Sequence, residues 1–172
     1  RLNLAPLWTA LDFVTNATDP AQTFYQNGNY TEAIDAWESQ SSELSLDQQV
    51  TLQANLAQAY AHQGNWDKAT AAIERGLNLL TPPLNRDNNG LKHDKALSPD
   101  RFEILNKRRA QLLTTQSFLL TEQGQLNQAF HLSEAASRIY HEQNDRLGIL
   151  QTQLNQAQIL TRQGNLRQAN DR

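Results

Sequence analysis

The segment from Thr51 to Leu80 contains two runs of apolar and small residues at helical spacing. The tripeptide Gln63-Gly64-Asn65 separates the two runs, and such a tripeptide is a turn signal. The members of the runs are Leu52, Leu56, Ala57 and Tyr60, followed by Ala69, Ala72, Ile73 and Leu77. Because neither helix can bury its stripe alone, the pattern predicts a helix-turn-helix hairpin in which small residues allow a close approach.

The same turn signal occurs four times, in the strings QNGNYTEA, HQGNWDKA, EQGQLNQA and RQGNLRQA. In each copy an alanine lies five residues after the glycine. Glycine adopts a positive φ at little steric cost, so one helix can end and the next begin within three residues. The four glycines are Gly28, Gly64, Gly124 and Gly164, separated by 36, 60 and 40 residues. This spacing predicts stacked helical hairpins with one long insertion between the second and third.

The second hairpin carries the clearest family likeness. A Leu-Ala pair and a tyrosine precede its turn glycine and an alanine follows it, at Leu56, Ala57, Tyr60, Gly64 and Ala69. This arrangement resembles the tetratricopeptide repeat (TPR). The 40-residue period and the string that begins at Asn144 resemble the longer repeats of bacterial, often cyanobacterial, proteins. In many of those proteins a caspase-like CHAT domain follows the repeats, and no such domain is present in these 172 residues.

The resemblance implies an all-α fold, a right-handed α-α superhelix of about four hairpins with no sheet. We predict a single domain over residues 1–172, with an N-terminal helix at 1–18 and an inserted loop at 81–98. The repeats are predicted at 19–44, 47–80, 99–143 and 145–172, the last one truncated. Asp47 is the predicted cap of the second repeat, and Pro82-Pro83 should prevent its last helix from continuing.

The first 18 residues are more apolar than the turns and loops that follow. Leu4, Leu7, Trp8 and Leu11 have helical spacing, which favours an amphipathic capping helix over a signal-peptide remnant or a surface anchor. The stretch is too short to span a bilayer and Asp12 interrupts it. The chain does not begin with methionine, so we expect a fragment or a processed chain.

Composition and charge exclude several classes of function. The formal net charge is -3, which gives no global electrostatic reason to bind nucleic acid or an anionic membrane. The chain has no cysteine, which excludes disulfides, thiolate nucleophiles and zinc sites built on cysteine. A local basic cluster, Lys107-Arg108-Arg109, is interpreted as a solvated turn of a long helix. A phosphate or an acidic partner is the alternative ligand for it.

No constellation of residues typical of catalysis is present. The histidines His62, His93, His131 and His141 are not paired at metal-ligand spacing. Each turn glycine is isolated, so there is no glycine-rich phosphate loop. We therefore expect a protein that is not an enzyme and that uses neither a cofactor nor a metal.

The resemblance also implies a binding surface, because the concave groove of the family is lined by the first helix of each repeat. The corresponding residues here are Thr51, Ala54, Asn55, Gln58 and His62 in the second repeat, Gln111, Thr114, Thr115, Phe118 and Glu122 in the third, and Gln151, Leu154, Asn155, Gln158 and Arg162 in the fourth. Such a groove is polar and mostly uncharged, unlike the Lys- and Arg-lined grooves that grip a C-terminal carboxylate. Its amide side chains could bind an extended peptide or a helix, or could serve only as solubilising helix formers.

Three functions are open on this basis. The first is a scaffold that binds a protein or peptide in the groove, with a cytoplasmic localisation expected and an extracytoplasmic one as the alternative. The second is a regulatory or sensor domain of a larger caspase-like peptidase. The third is a structural repeat that self-assembles, with homo-oligomers formed through the open C-terminal face.

Overall fold

The computed structural model describes residues 20–40, 44–84 and 98–170, and these residues form seven α-helices without a β-strand. The helices are α1 (Pro20–Gln26), α2 (Tyr30–Glu38), α3 (Leu46–His62), α4 (Trp66–Leu84), α5 (Pro99–Glu122), α6 (Leu126–Glu142) and α7 (Arg146–Asn170). The prediction of an all-α helical repeat is confirmed. The helix predicted at 1–18 and most of the insertion predicted at 81–98 lie outside the described residues.

The chain divides into two compact units, and the division falls between Arg109 and Ala110. The N-terminal unit extends to Arg109 and contains α1 to α4 and the first turns of α5. The C-terminal unit begins at Ala110 and contains the rest of α5 together with α6 and α7. Helices that follow each other along the chain pack together within each unit in four cases: α1 on α2, α2 on α3, α3 on α4, and α6 on α7.

Three of the four predicted glycine turns are present. Gly28, Gly64 and Gly124 have φ angles of 80°, 73° and 79°, in the left-handed region that favours glycine. In each turn the N–H that follows the glycine donates to a carbonyl five residues earlier, for example from Asn65 to Tyr60 at 2.9 Å. These bonds satisfy carbonyl groups that the end of a helix would leave unpaired.

The fourth glycine turn is not present, and that prediction is wrong. Gly164 lies inside α7, which continues to Asn170 as a single helix. The backbone bonds of a continuing helix form within the segment itself, whereas a hairpin is favoured only when the returning helix buries an apolar face. The six described residues after Gly164 are less than two turns of helix, too few to bury such a face.

An asparagine makes the turn between α6 and α7. Asn144 has a φ of 54°, and the Asp145 N–H donates to the Tyr140 carbonyl at 2.9 Å. The Asp145 carboxylate accepts from the Gly148 N–H at 3.1 Å and so caps α7. A Cβ at Gly148 would lie 2.2 Å from the ring of Tyr140, so the glycine is required for the close approach of the two helices.

Two predicted helix ends are displaced in the structure. Ser45, not Asp47, caps α3: its hydroxyl accepts from the Gln48 N–H, and the Gln48 side chain accepts from the Ser45 N–H. Such a capping box contributes about 1 kcal/mol. At the other displaced end α4 extends to Leu84, past the prolines that were predicted to stop it. The fixed φ of proline is compatible with a helix. The free-energy cost of Pro82 and Pro83 lies in the backbone hydrogen bonds that these residues cannot donate in the last turn.

Both cores agree with the predicted pattern of small and large residues. Ala57 on α3 and Ala69 on α4 are fully buried, as expected where two helices approach closely. Among the described residues of the N-terminal unit, Trp37 is the largest fully buried side chain. In the C-terminal unit Leu126, Ala129 and Ile159 form a buried cluster against which Leu120 and Phe130 pack.

Candidate functional site

The groove residues predicted in the second repeat lie mostly inside the N-terminal unit. Thr51, Asn55 and Gln58 are 6%, 2% and 6% exposed, and Ala54 is equally buried. His62 is half-buried. The second repeat therefore presents little of its predicted groove as open surface, and partner binding by these residues stays a prediction.

Gln58 and His62 instead connect the first two hairpins. The Tyr25 hydroxyl of α1 donates to the Gln58 side-chain carbonyl at 3.4 Å. The His62 ring stacks on the Tyr30 ring, with centroids 4.8 Å apart and planes 5° apart, and meets the edge of Tyr25. Burial lowers the pKa of His62. Burial and the neighbouring Tyr30 raise the pKa of Tyr25 well above its ordinary value. Packing between the first and second hairpins therefore positions Gln58 and His62.

Tyr60 makes a second connection between α3 and α2. Its hydroxyl donates to the carboxylate of Glu38 in a short hydrogen bond. Burial and this hydrogen bond raise the pKa of Tyr60 to about 12. The ammonium group of Lys68 lies 5.2 Å from the Tyr60 ring centroid, within the range of a cation–π contact. Tyr60 is thus a neutral, anchored core residue and not a reactive phenol.

In the C-terminal unit, α5 and α7 lie side by side and are joined by buried hydrogen bonds. The Asn155 Nδ2 of α7 donates to the Ser117 hydroxyl of α5 at 2.7 Å. That hydroxyl donates in turn to the Ala129 carbonyl of α6 at 2.6 Å, so one chain of bonds crosses all three helices. The Asn155 Oδ1 is buried and has no hydrogen-bond partner among the described residues.

The last predicted groove residues of α5 and α7, Glu122 and Arg162, are also paired with each other. The Arg162 guanidinium donates to the Thr121 carbonyl at 2.7 Å and to the Glu122 carboxylate. One residue further on, the Gln163 amide donates to Asn127 at the start of α6 at 3.1 Å. Glu122 and Arg162 therefore fix the two helices to each other as an exposed, charge-assisted pair.

We call the surface along this contact the α5–α7 seam. Its half-buried members are predicted groove residues of the third and fourth repeats: Gln111, Phe118, Gln151, Leu154 and Gln158. Helical periodicity places Gln158 between Asn155 and Arg162 on the face of α7 that contacts α5. Thr114 and Thr115 are buried, and their hydroxyls donate to carbonyls of α5 itself. The structure thus brings together third- and fourth-repeat groove positions and removes the threonines from the surface.

The basic cluster of α5 is not a solvated turn throughout. Lys107 and Arg109 are exposed, but Arg108 is 9% exposed, so the sequence interpretation is wrong for this residue. Consecutive helical residues point about 100° apart, and three in a row cannot all face solvent when one side of the helix is packed. The charge of Arg108 gave no sign in the sequence that this residue would be buried.

Two further features are absent from the described helices. Within residues 20–40, 44–84 and 98–170 no group of three or more His, Cys, Asp or Glu side chains is placed to hold a metal ion. No helix in that part of the chain is both long enough and apolar enough to cross a membrane.

Comparison with known proteins identifies one segment. Searches of curated proteins and of solved structures returned no match. Tetratricopeptide repeats generally mediate interactions between proteins and are generally non-catalytic. Residues 50–75, which extend from α3 across the Gly64 turn into α4, match the family model of the tetratricopeptide repeat, and this confirms the resemblance for the second hairpin.

Proposed function

We propose that this chain is a non-catalytic interaction module that binds a peptide segment of a protein partner along the α5–α7 seam. The repeat match at residues 50–75 supports the class, because such repeats generally bind proteins. The exposure of the α5–α7 seam supports the proposed location of the binding site. It joins half-exposed groove positions from two helices, whereas the equivalent positions of α3 are mostly buried.

The seam combines a fixed framework with adaptable side chains. The Ser117–Asn155 bond and the Arg162 contacts hold the two helices in register. Phe118 provides an apolar anchor, and the amide of Gln158 can both donate and accept hydrogen bonds. These are the requirements for binding an extended backbone, whose N–H and C=O groups alternate in direction.

The single observation that carries this proposal is the difference in exposure between equivalent groove positions. Gln151 and Gln158 on α7 are half-exposed, whereas Thr51 and Gln58 at the same positions of α3 are each 6% exposed. A ligand backbone can reach the first pair and cannot reach the second. Gln151 and Gln158 lie two turns apart on one face of α7, so an extended segment could contact both.

The test begins with peptides selected from a random display library against the purified chain. Binding of a selected, labelled peptide is then measured by fluorescence anisotropy. The double substitution Phe118→Ala with Gln158→Ala should weaken binding by about tenfold or more, because it removes the anchor and one amide. Gln128→Ala on the exposed surface of α6 is the matched control and should bind as the wild type does.

Circular dichroism checks that the double variant keeps its helical content. Equal affinity of the folded double variant and the wild type would contradict the location at the seam. Failure of any peptide to bind the wild-type chain would contradict the proposed function itself.

The role as a regulatory domain of a caspase-like peptidase and the cytoplasmic localisation remain predictions. The reading frame around this segment tests the first, since a His/Cys peptidase domain encoded after Arg172 would favour it. Fractionation of cells that express the tagged protein tests the second.

A further inference from the structure

The first glycine turn differs from the other two in the residue that precedes its glycine. Asn27 precedes Gly28, whereas Gln63 and Gln123 precede the glycines of the second and third turns. Asn27 and Gly28 are both exposed, and a Cβ at Gly28 would meet no further atom of the described residues within 4 Å. The first turn therefore presents an asparagine side chain beside a backbone nitrogen that no neighbouring side chain shields.

An exposed Asn-Gly pair supports a reaction that a Gln-Gly pair supports poorly. The backbone nitrogen of Gly28 loses its proton and attacks the side-chain carbonyl carbon of Asn27. A C–N bond forms, and ammonia leaves with that proton. Water then opens the resulting five-membered succinimide at either carbonyl, which gives aspartate or isoaspartate, so the net change is hydrolysis of the amide without oxidation or reduction. A glutamine at this place would require a six-membered ring, which closes more slowly.

The hydrogen bonds of the closed turn oppose this attack. The Gly28 N–H donates to the Tyr25 carbonyl at 3.0 Å, and the Asn29 N–H donates to the Phe24 carbonyl at 2.8 Å. The attacking nitrogen must lose the hydrogen that the first bond holds, and rotation of the Gly28 peptide towards the Asn27 side chain breaks the second. The rate of the reaction should therefore follow the fraction of molecules in which the turn is open.

Contacts with α3 hold the first hairpin closed. The Tyr25 hydroxyl donates to Gln58, and the Gln63 amide donates to the Thr31 hydroxyl at 2.9 Å. Helices α1 and α2 have 7 and 9 residues, which is too short for either helix to be stable alone. The first hairpin therefore depends on α3, and loss of these contacts opens its turn.

We propose that Asn27 is a deamidation site that is protected while the first hairpin packs on α3 and that reacts when the hairpin opens. The product does not fit the closed turn. Isoaspartate adds a methylene group to the backbone before Gly28 and displaces the N–H groups of the turn from their acceptors. Aspartate places a negative charge just after the C-terminal end of α1, where the helix dipole disfavours it. Deamidation should therefore keep the hairpin open and expose Gln58, the buried groove position that Tyr25 contacts.

Peptide mapping by mass spectrometry tests the site. The whole chain is incubated in mildly alkaline buffer with and without guanidinium chloride, and conversion at residue 27 is followed over time. Asn27 should deamidate in the unfolded chain, and the rate should be at least about tenfold lower in the folded chain. The second Asn-Gly pair, Asn89-Gly90, lies in a different tryptic fragment and is counted separately. Asn27→Gln should abolish the conversion, and it gives the first turn the residue that the other two turns carry.

Two glutamines at equivalent places in the matching strings test the role of the first hairpin. Gln63→Ala removes the bond to Thr31 and should speed deamidation of the folded chain about threefold, the effect of one lost hydrogen bond. Gln163→Ala is the matched control, because it removes the equivalent bond to Asn127 in the C-terminal unit, and it should leave the rate unchanged. Both variants should react as the wild type does in guanidinium chloride.

The deamidated forms show whether the product opens the hairpin. After separation by ion-exchange chromatography, the isoaspartate form should exchange the backbone amides of α1 and α2 faster than the unmodified chain does. Failure of Asn27 to react in the unfolded chain would overturn the site itself. Equal rates in the folded and unfolded chains, equal rates in the Gln63 and Gln163 variants, or unchanged exchange in the isoaspartate form would overturn its link to the first hairpin.

Discussion

Helices α3 and α7 occupy the same position in the second and fourth copies of one sequence pattern, yet their surroundings differ. The apolar face of α3 is buried by its neighbours, and two of its predicted groove residues, Gln58 and His62, contact the preceding hairpin. The equivalent apolar face of α7 is exposed, and its groove residues lie half-exposed against α5. A repeat pattern thus fixes which face of a helix is apolar, while the neighbouring elements decide whether that face is core or binding surface.

Substitutions at one equivalent pair should show the largest contrast between the helices. Tyr60→Ala removes a buried ring together with its bond to Glu38 and should lower the free energy of unfolding by about 3 kcal/mol or more. Leu160→Ala at the equivalent position of α7 should change it by less than about 0.5 kcal/mol, since the side chain is exposed. Urea unfolding followed by circular dichroism measures both, and similar losses would show that the Leu160 side chain is covered in solution.

The turn into α7 should be sensitive to a single methyl group. Gly148→Ala would place a Cβ against the Tyr140 ring and should cost about 1–3 kcal/mol of stability, as overpacking does. The double variant Gly148→Ala with Tyr140→Ala should recover part of the loss caused by the glycine substitution, because the clash is absent. Thermal unfolding of the wild type, the two single variants and the double variant gives the coupling free energy between Gly148 and Tyr140. Strictly additive losses would contradict the close contact between these two residues.

The two glycines of the matching strings should respond in opposite directions. Gly64→Ala strains a backbone with a φ of 73° and should cost about 1–2 kcal/mol. Gly164→Ala should instead stabilise α7 by about 0.5–1 kcal/mol, because its added Cβ meets no neighbour and alanine favours helix. Loss of stability in the Gly164 variant would mean that the fourth turn forms in solution.

The smallest expected effect is a pH dependence at His62. Burial lowers its pKa in the folded protein below the ordinary value of 6.5, so the unfolded chain binds the proton more readily. The contribution of the neutral, buried His62 to the free energy of unfolding should therefore be fully present above pH 6.5. It should be lost as the pH falls below that value and through the lowered pKa of the folded protein. His62→Asn should remove this part of the pH dependence, measured as the difference between the urea midpoints of the variant and the wild type at about pH 8 and about pH 5. No difference between the two proteins would contradict burial of the imidazole.

Local signals were sufficient to predict most of the fold. The positive φ of Gly28, Gly64 and Gly124 and the burial of Ala57 and Ala69 follow from the turn and spacing patterns. The turn at Asn144 has a weaker signal, since asparagine tolerates the left-handed region less well than glycine does. The absence of a turn at Gly164 could not be predicted from its string, because that outcome depends on whether a returning helix has a surface to bury.

The candidate site was predictable only in part, because a local sequence pattern does not show which faces neighbouring helices cover. The pattern placed Phe118, Gln151 and Gln158 in the predicted groove, and the structure leaves them half-exposed, while their role in binding stays a prediction. It placed Asn55 and Gln58 equally well on α3, but could not show that the preceding hairpin buries that face. Leu150 and Leu160 of α7 were identifiable as an apolar face from the sequence, and only the structure shows that this face is exposed.

Hydrogen–deuterium exchange on binding a peptide selected against the chain tests the difference between α3 and α7 most directly. The peptide should slow exchange of backbone amides in α5 from Ala110 onward and in α7 up to Arg162, where the seam residues lie. Amides of α3 and α4 should exchange as they do in the free protein. Protection confined to residues 50–75, the segment that matches the repeat family, would contradict the assignment of binding to the seam.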